Sequence, residues 1–366
     1  MKVAFRVDAG TAIGGGHLSR CLTLANALKL NGVSQCYFIL KAHHGDFTKQ
    51  IISDGFEVHV IPLEFEPDYY SGNYKHWVGG NILNDAVSTL EYLNKSGFTF
   101  NDWLIIDHYG LDIKFEDVIA NTGFNVGVIE DLVNRKHNCK FLIDQTCGRQ
   151  ELEYKALVDR NTVVMTGQDY CMLRPEFLKL RESSLAKRSQ FKDIKNLFIN
   201  FGSTDPTNVT SKIIDTINEA YHLFDYNIVV AVGSNTLHLD LVKSSVANFL
   251  GEITLIIDAQ NMSELMVEAD VAIGAAGATT WERCALGLPT VIIQTAANQS
   301  TVISRILDFE VVVLHDLEIS NQASELKNHI SYIQDNYALM SDKCFNLVKA
   351  DGVNKIVAKM MGGSIK

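Results

Sequence analysis

The sequence predicts an α/β protein built from two doubly wound, Rossmann-like domains that face each other across a cleft. Short apolar strands alternate with amphipathic helices along most of the chain, and this succession favours parallel pairing with right-handed crossovers. Residues 3–30 and 196–221 each have the pattern of a strand, a glycine turn and a helix. A charged stretch, residues 179–195, separates two apolar series.

Length, charge and cysteine content limit the number of domains and the kinds of partner that we expect. The 366 residues exceed the roughly 150 expected of one domain. A net charge of -11 disfavours nucleic acid and anionic membranes as partners. The 7 cysteines show neither CxxC nor zinc spacing, which predicts buried thiols. Because the sequence shows no export signal and no apolar run of about 20 residues, we expect a cytoplasmic protein. A monomer is the default expectation.

The first domain, predicted over residues 1–178, opens with FRVDAGTAIGGGHLSR at residues 5–20. An apolar strand at 3–7 leads to Asp8, a turn with four glycines, and a helix over 17–30. Backbone N–H groups at such a helix start favour an anion. Because imidazole can accept a proton near neutral pH, His17 is a candidate general base. The alternative is a helix cap without chemistry.

The following elements extend this domain to six or seven strands. Apolar periodicity predicts these elements in turn: strand 35–40, helix 45–54, strand 56–61, a loop over 64–80, helix 84–97, and strands 103–106, 125–129 and 140–143. Asp107, His108 and Tyr109 directly follow the strand 103–106. The carboxyl ends of parallel strands meet at one edge of a sheet, so these residues are expected beside His17.

Two interpretations remain for His108, which can contact a sugar or cap its strand. The other histidines are expected on the surface or in loops: His43, His44, His59, His76, His137, His222, His238, His315 and His329.

Residues 179–195 are predicted to be a linker between the domains, and their basic cluster indicates a solvated linker or a helix face. Residues 196–345 are predicted to form the second domain, and residues 346–366 a C-terminal helix and tail. The second domain opens with a strand at 196–201, a turn carrying Gly202 and Ser203, and a helix over 208–221. The pattern then predicts strands 226–232 and 253–257, helix 261–269, strand 271–273, helix 279–287 and a strand after Pro289.

The turn before the helix 279–287 carries small residues and two hydroxyls, Thr279 and Thr280. Hydroxyls at a helix start are often plain caps. Glu282, one turn in, supports a second interpretation, because a carboxylate there can accept both hydroxyls of a ribose while phosphate lies at the helix start. The turn is therefore either a capped helix start or a nucleotide site.

With both turns in view, the sequence resembles the pseudaminic-acid pathway hydrolases that cleave UDP-2,4-diacetamido-2,4,6-trideoxy-beta-L-altropyranose to UDP and the free sugar. The resemblance runs over about residues 1–310 and is carried, in order, by FRVDAGTAIGGGHLSR, IIDHYGLD, IEDL, YCMLRPEF, FGSTDPTN and GAAGATTWERCALGLP. The second domain is also similar to the GT-B glycosyltransferase that adds N-acetylglucosamine in peptidoglycan lipid synthesis. A GT-B fold is thereby implied.

The resemblance also implies site residues. The backbone at Ile257 would meet the uracil, Glu282 the ribose, and Ala278, Thr279 and Thr280 the phosphate. The full UDP set implied is Gly202, Ser203, Ile257, Gly277, Ala278, Thr279, Thr280 and Glu282. The sugar set implied is Gly14, Gly15, Gly16, Asp107, His108, Tyr109, Asn298 and Gln299. Trp281 has no ligand role that we can assign.

Hydrolysis would use His17 as the base for a water that attacks the anomeric carbon with inversion. Asp8 either orients the imidazole or ends its strand. The absence of HxH, HExxH and DxD motifs predicts no metal, and we expect no cofactor. Three functions stay open: a UDP-sugar hydrolase, a GT-B glycosyltransferase that needs an acceptor, and a UDP-sugar-binding protein without turnover.

Overall fold

The computed structural model describes residues 1–45, 47–69, 73–296 and 299–362. The chain divides into two compact units, the first comprising Met1–Met172 and Asp351–Lys366 and the second Leu173–Ala350. Each unit contains one parallel sheet with helices packed on it, which confirms the predicted α/β class with two Rossmann-like domains. No helix in the described parts of the chain is both long and apolar enough to cross a membrane.

Seven strands form the sheet of the first unit, in the order β3-β2-β1-β4-β5-β6-β7. Their bounds are β1 Lys2–Val7, β2 Gln35–Lys41, β3 Glu57–Ile61, β4 Trp103–Asp107, β5 Asn125–Ile129, β6 Phe141–Asp144 and β7 Val163–Thr166. The winding reverses between β1 and β4, which are neighbours in the sheet. The carboxyl ends of these two strands therefore flank the crevice where ligands of such sheets bind.

Six strands form the sheet of the second unit, in the order β10-β9-β8-β11-β12-β13. Their bounds are β8 Asn196–Asn200, β9 Asn227–Val232, β10 Ile253–Ile257, β11 Val271–Ala275, β12 Thr290–Ile293 and β13 Val312–His315. Here the winding reverses between β8 and β11. This second reversal defines the equivalent crevice of the second sheet.

Thirteen helices are present in the described residues, of which the first four and the last belong to the first unit. In chain order they are α1 Gly16–Leu30, α2 Thr48–Ser53, α3 Ile82–Lys95, α4 Ile113–Ala120, α5 Pro175–Arg188, α6 Val209–Glu219, α7 Leu239–Ala247, α8 Met262–Glu268, α9 Thr279–Ala285, α10 Gln299–Leu307, α11 Gln322–Asp335, α12 Tyr337–Leu347 and α13 Gly352–Met360. Several elements are additional to the prediction: β7, β13, α4, α7 and α10.

The central strands of both sheets are buried on both faces, as is usual for parallel sheets, whereas the edge strands are partly exposed. In β1, Phe5 belongs to a core cluster that includes side chains of α1 and α13, whereas Ala4 belongs to a second cluster with residues of α3 and α4. The second sheet packs in the same way against α6 and α11. All seven cysteines are buried, as expected.

Within the segment expected to be a solvated linker or a helix face, residues 179–188 lie on a helix, and two of its arginines are buried rather than solvated. Residues 175–188 form α5, with Pro175 in its first turn, and belong to the second unit. Arg181 and Arg188 are buried. Their guanidinium groups donate hydrogen bonds to carbonyls near the ends of neighbouring helices, including those of Ala285 and Leu286. The chain passes between the units at Met172–Leu173, and residues from Asp351 onward return to the first unit.

Candidate functional site

The site of the first unit is built on the reversal point between β1 and β4. A turn follows β1, in which Gly14 adopts a φ of 86° and donates its N–H to the carbonyl of Gly10 at 2.7 Å. Only glycine adopts this backbone region without strain. Because α1 starts at Gly16 directly after the turn, His17 in its first turn reaches Asp107 at the end of β4.

A buried carboxylate holds the imidazole of His17. Nδ1 of His17 lies 2.6 Å from Oδ1 of Asp107. Arg20 donates from Nε to Oδ2 and from Nη2 to Oδ1 of Asp107, both at 2.6 Å, and from Nη1 to Asp131 at 2.9 Å. Burial alone would raise the pKa of Asp107, but the charges of Arg20 and His17 hold it well below its usual range. Since the carboxylate accepts from Nδ1, Nε2 of His17 is left to accept a proton.

Three aromatic rings stand beside the imidazole. The ring of Tyr109 meets that of His17 edge-on with centroids 4.5 Å apart, and Trp77 does so at 6.5 Å. Tyr74 contacts both Trp77 and Tyr109 at 5.0 Å. Burial and the neighbouring Asp131 raise the pKa of Tyr109, so its hydroxyl stays protonated at neutral pH. All three rings are half-buried, which leaves aromatic surface next to the candidate base.

Asp8 does not orient His17, which corrects one of the two interpretations of this residue. Its carboxylate accepts from Arg6 at 2.6 and 3.0 Å and from the backbone N–H of Lys41 at 2.7 Å. It also lies 3.3 Å from Nε2 of His43 and 3.0 Å from Nε2 of His108. Burial opposes ionisation, yet the charge of Arg6 holds the pKa of Asp8 well below its usual range. Asp8 therefore ends β1 inside a buried charge network.

The structure favours the capping interpretation of His108. Its Nδ1 accepts from the backbone N–H of Gly110 at 2.9 Å, and its Nε2 faces Asp8 at 3.0 Å. Both ring nitrogens thus lie against groups of the first unit, and the side chain is buried.

Three other histidines are buried beside polar partners. His43 and His137 lie in loops, as expected, whereas His315 ends β13, so the expectation of a surface or loop position is wrong for His315. Nδ1 of His43 lies 2.7 Å from the hydroxyl of Tyr69. Nδ1 of His137 lies 2.7 Å from Glu116. His315 contacts Gln322 at 2.7 Å. A single sequence does not show these partners, because all three contacts form between separate segments of the chain.

In the second unit, Thr280 uses its hydroxyl internally. The Oγ1 atom donates to the carbonyl of Ala275 at 3.2 Å and accepts from Nη2 of Arg283 at 3.0 Å. Thr279 accepts from Nη1 of Arg283 at 3.4 Å. A phosphate on this turn would therefore meet backbone N–H groups rather than the Thr280 hydroxyl. Gly277 has open space where a side chain would stand.

Of the remaining residues of the expected UDP set, Glu282 lies in α9, whereas Ile257, Gly202 and Ser203 lie at or just after the carboxyl ends of strands. Glu282 has a side chain that is 13% exposed, and its Oε1 lies 3.4 Å from Arg174. Burial raises the pKa of Glu282, and Arg174 opposes this. Ile257 ends β10, and Gly202, with φ 91°, follows β8 beside the exposed Ser203.

Gln299, one of the last two residues of the expected sugar set, is the first residue of α10. Its side-chain oxygen accepts a hydrogen bond from the backbone N–H of Thr295 at 2.8 Å. Asn298 lies outside the described residues.

Two candidate functional residues, Arg20 and Arg283, were not predicted from the sequence. Arg20 follows His17 by three residues and so shares its helix face, a spacing that could have revealed it. Arg283 shows no sequence signal beyond its place in α9, and only its burial distinguishes it.

The comparisons with known sequences give one family match within the second unit and distant relatives over most of the chain. The family model "Glycosyltransferase family 28 C-terminal domain" matches residues 196–303. A Campylobacter jejuni protein named UDP-2,4-diacetamido-2,4,6-trideoxy-beta-L-altropyranose hydrolase is 25% identical over 74% of this chain and 83% of its own. The Bacillus subtilis spore coat polysaccharide biosynthesis protein SpsG is 23% identical over 82% of this chain and 79% of its own. An uncharacterized Methanocaldococcus jannaschii protein is 27% identical over 80% of this chain, but the match spans only 55% of that relative.

Solved structures show the same fold. MurG of Acinetobacter baumannii has a TM-score of 0.65 at 15% identity, covering 99% of this chain and 100% of that one. The UDP-GlcNAc 2-epimerase of Neisseria meningitidis, solved with UDP-GlcNAc, has a TM-score of 0.59 at 14% identity, with coverage of 99% and 100%. At these identities the likeness establishes the two-domain fold alone.

Proposed function

We propose that the chain hydrolyses a UDP-sugar to UDP and the free sugar, with UDP-2,4-diacetamido-2,4,6-trideoxy-beta-L-altropyranose as the substrate. The 2.6 Å contact between His17 and Asp107 carries the proposal, because it prepares Nε2 of His17 to accept a proton at the mouth of a ligand crevice. The substrate follows from the name of the Campylobacter jejuni relative.

The chemical step needs a base and a departing diphosphate. Nε2 of His17 takes one proton from a water, whose oxygen bonds to the anomeric carbon. The bond from that carbon to the diphosphate oxygen breaks, and its electron pair leaves with UDP. Attack opposite the leaving group inverts the anomeric centre. Asp107 stabilises the imidazolium that forms, and Arg20 keeps this carboxylate ionised.

Each unit has its own set of binding residues in this proposal. The second unit holds UDP: backbone groups of residues 277–280 face the phosphates, Glu282 accepts from the ribose, and the Ile257 backbone meets the uracil. In the first unit, residues 14–16 and Tyr109 contact the sugar. Open space at Gly16 and the half-buried ring of Tyr109 support this assignment.

Incubation with the UDP-sugar alone, in isotopically labelled water, tests the proposal. We expect UDP release without an acceptor, label in the anomeric hydroxyl of the sugar, and inverted configuration in early proton spectra. His17→Ala should abolish turnover while calorimetry still detects UDP binding. Intact substrate in the presence of folded protein, or label in the phosphate, would contradict hydrolysis at carbon.

A glycosyltransferase is the second candidate, favoured by the match of residues 196–303 to the family 28 domain. It predicts that UDP appears only when an acceptor is added. A binding protein without turnover is the third hypothesis; it predicts bound, uncleaved UDP-sugar and no effect of the His17→Ala substitution.

A further inference from the structure

Arg283 is a buried cation for which the described residues offer no carboxylate partner. Its side chain is 1% exposed. Nη2 donates to the carbonyl of Ala275 at 2.8 Å and to the hydroxyl of Thr280 at 3.0 Å, while Nη1 lies 3.4 Å from the hydroxyl of Thr279. Nε is buried and has no hydrogen-bond partner among the described residues. A buried charge is normally paired, because its desolvation is costly.

The guanidinium lies at the reversal point of the second sheet. A Cβ atom added to Gly274 would stand 2.3 Å from Nη1 of Arg283 and 2.5 Å from the carbonyl oxygen of Asn200. Gly274 belongs to β11 and Asn200 ends β8, the two neighbouring strands between which the winding reverses. The charge therefore lies directly beneath the turn 275–280, at the place where doubly wound sheets bind ligands.

Arg188 provides an informative contrast within the same unit. It is also buried, but it donates to the carbonyls of Met266, Ala269 and Leu286 at 2.7–2.9 Å and to the Tyr337 hydroxyl at 2.9 Å. Those carbonyls lie at or near the C-terminal ends of α8 and α9, where the helix dipole is negative and stabilises a cation.

Arg283 instead reaches back to the start of α9, where the dipole is positive and adds to the cost of its charge. Burial lowers the pKa of Arg283 to about 10, so the group remains charged at neutral pH. The charge of Glu282 offsets part of this cost, but the Oε1 atom of Glu282 lies 3.4 Å from Arg174, and no carboxylate among the described residues forms an ion pair with Arg283.

We infer that Arg283 is a positioning residue whose buried charge is balanced by the phosphates of a nucleoside diphosphate bound over the turn 275–280. The inference rests on the proposed function and adds to it the residue that distinguishes a diphosphate from a neutral nucleoside. Arg283 acts without touching the ligand. Its field attracts the phosphates, and its bonds to Ala275 and Thr280 hold the turn in shape.

Calorimetric titration of the full chain with UDP and with uridine tests this inference. The variants are Arg283→Gln, which keeps hydrogen-bond donors without charge, Arg283→Met, and Arg283→Lys, which keeps the charge. Both neutral variants should weaken UDP binding by about ten-fold or more, since phosphates within several Å feel the lost charge, and change uridine binding by less than about two-fold. Arg283→Lys should restore most of the UDP affinity.

Arg188→Met is the matched control, because it also removes a buried guanidinium of this unit. It should lower the melting temperature and leave the ratio of UDP to uridine affinity unchanged. If Arg283→Met does not fold by circular dichroism, Arg283→Gln decides the question.

Equal losses of UDP and uridine binding in the neutral Arg283 variants, or no loss at all, would overturn the role of Arg283 and leave the proposed function intact. A wild-type protein that binds neither ligand contradicts both proposals.

Discussion

Asp107 determines which nitrogen of His17 is free to accept a proton. Its Oδ1 lies 2.6 Å from Nδ1, and two bonds from Arg20 keep the carboxylate ionised. A neutral amide in its place could present an N–H to the ring and stabilise the wrong tautomer. His17 thus accepts the proton, and Asp107 positions it to do so.

Asp107→Asn is therefore expected to lower kcat by about 100-fold or more with little change in KM, since a positioned base contributes at least that much. Steady-state kinetics on the UDP-sugar measure this. Asp144→Asn is the matched control, because Asp144 is an equally buried strand-end carboxylate bound to an arginine, Arg149, and does not contact His17. The same loss of kcat in both variants would show a general effect of burial rather than orientation.

His137 couples the stability of the first unit to pH. It lies 2.7 Å from Glu116 and 3.4 Å from Glu130. Burial alone would lower the pKa of His137, but the bonds and charges of these two carboxylates raise it to about 9 from 6.5. A raised pKa in the folded state means that the stabilisation is complete below pH 6.5 and is lost as the pH rises to about 9.

We expect the free energy of unfolding to fall by up to about 3 kcal/mol across this window because of His137. Urea unfolding at a series of pH values measures the slope. His137→Gln should be less stable at the acid end and should show a flatter profile. Parallel profiles for the variant and the wild type would remove His137 as the cause.

At the scale of the element, the glycine turn places α1. Gly14 occupies the left-handed backbone region at φ 86°, whereas Gly16 is the first residue of α1 and would meet nothing within 4 Å if it carried a Cβ atom. The two glycines therefore have separate roles. Gly14 shapes the turn, and Gly16 leaves open space next to His17.

Alanine at these two positions separates the roles. Gly14→Ala should lower the free energy of unfolding by about 1–2 kcal/mol, the cost of a left-handed alanine. Gly16→Ala should leave stability unchanged or slightly raised but lower kcat/KM if the sugar approaches this side of the turn. Thermal unfolding and kinetics on both variants measure this, and a destabilised Gly16→Ala protein with normal kcat/KM would contradict the assignment.

At the scale of the whole molecule, the last helix stabilises the first unit from the far end of the chain. Ile356 of α13 is fully buried in the core cluster that contains the inner face of α1. The start of the helix passes so close to Cys171 that a Cβ on Gly352 would stand 2.5 Å from its carbonyl oxygen. Residues that are distant in sequence thus complete one core.

Ile356→Ala should destabilise the first unit by about 2–5 kcal/mol, the usual cost of such a truncation in a core. Hydrogen exchange resolved by residue would show faster exchange in β1 and β4, and unchanged exchange in β8 and β11. Asn354→Ala, on the exposed face of the same helix, is the control. Faster exchange in β8 and β11 as well would mean that the units unfold together.

Much of the fold was predictable because it depends on local pattern. Strand and helix periodicity predicted the α/β fold class and most strands of both sheets. The glycine turns predicted a ligand crevice at the carboxyl edge of each sheet. Two kinds of element were not predicted. Short elements such as β7 have little periodicity, and the charged sequence of α5 resembles a solvated linker because the helix carbonyls that bind its arginines lie elsewhere in the chain.

The sequence by itself determined that His17 follows a glycine turn and that Asp107 follows a neighbouring strand, because both facts are matters of spacing. Only the tertiary structure decided that Asp107 rather than Asp8 holds the imidazole, and that Arg283 is buried with no carboxylate paired to it among the described residues. Partner choice depends on where β1, β4 and α1 meet in space. The segment around a carboxylate does not show which residues of other strands lie next to it. The sequence could therefore identify the candidate residues but not which of them contact each other.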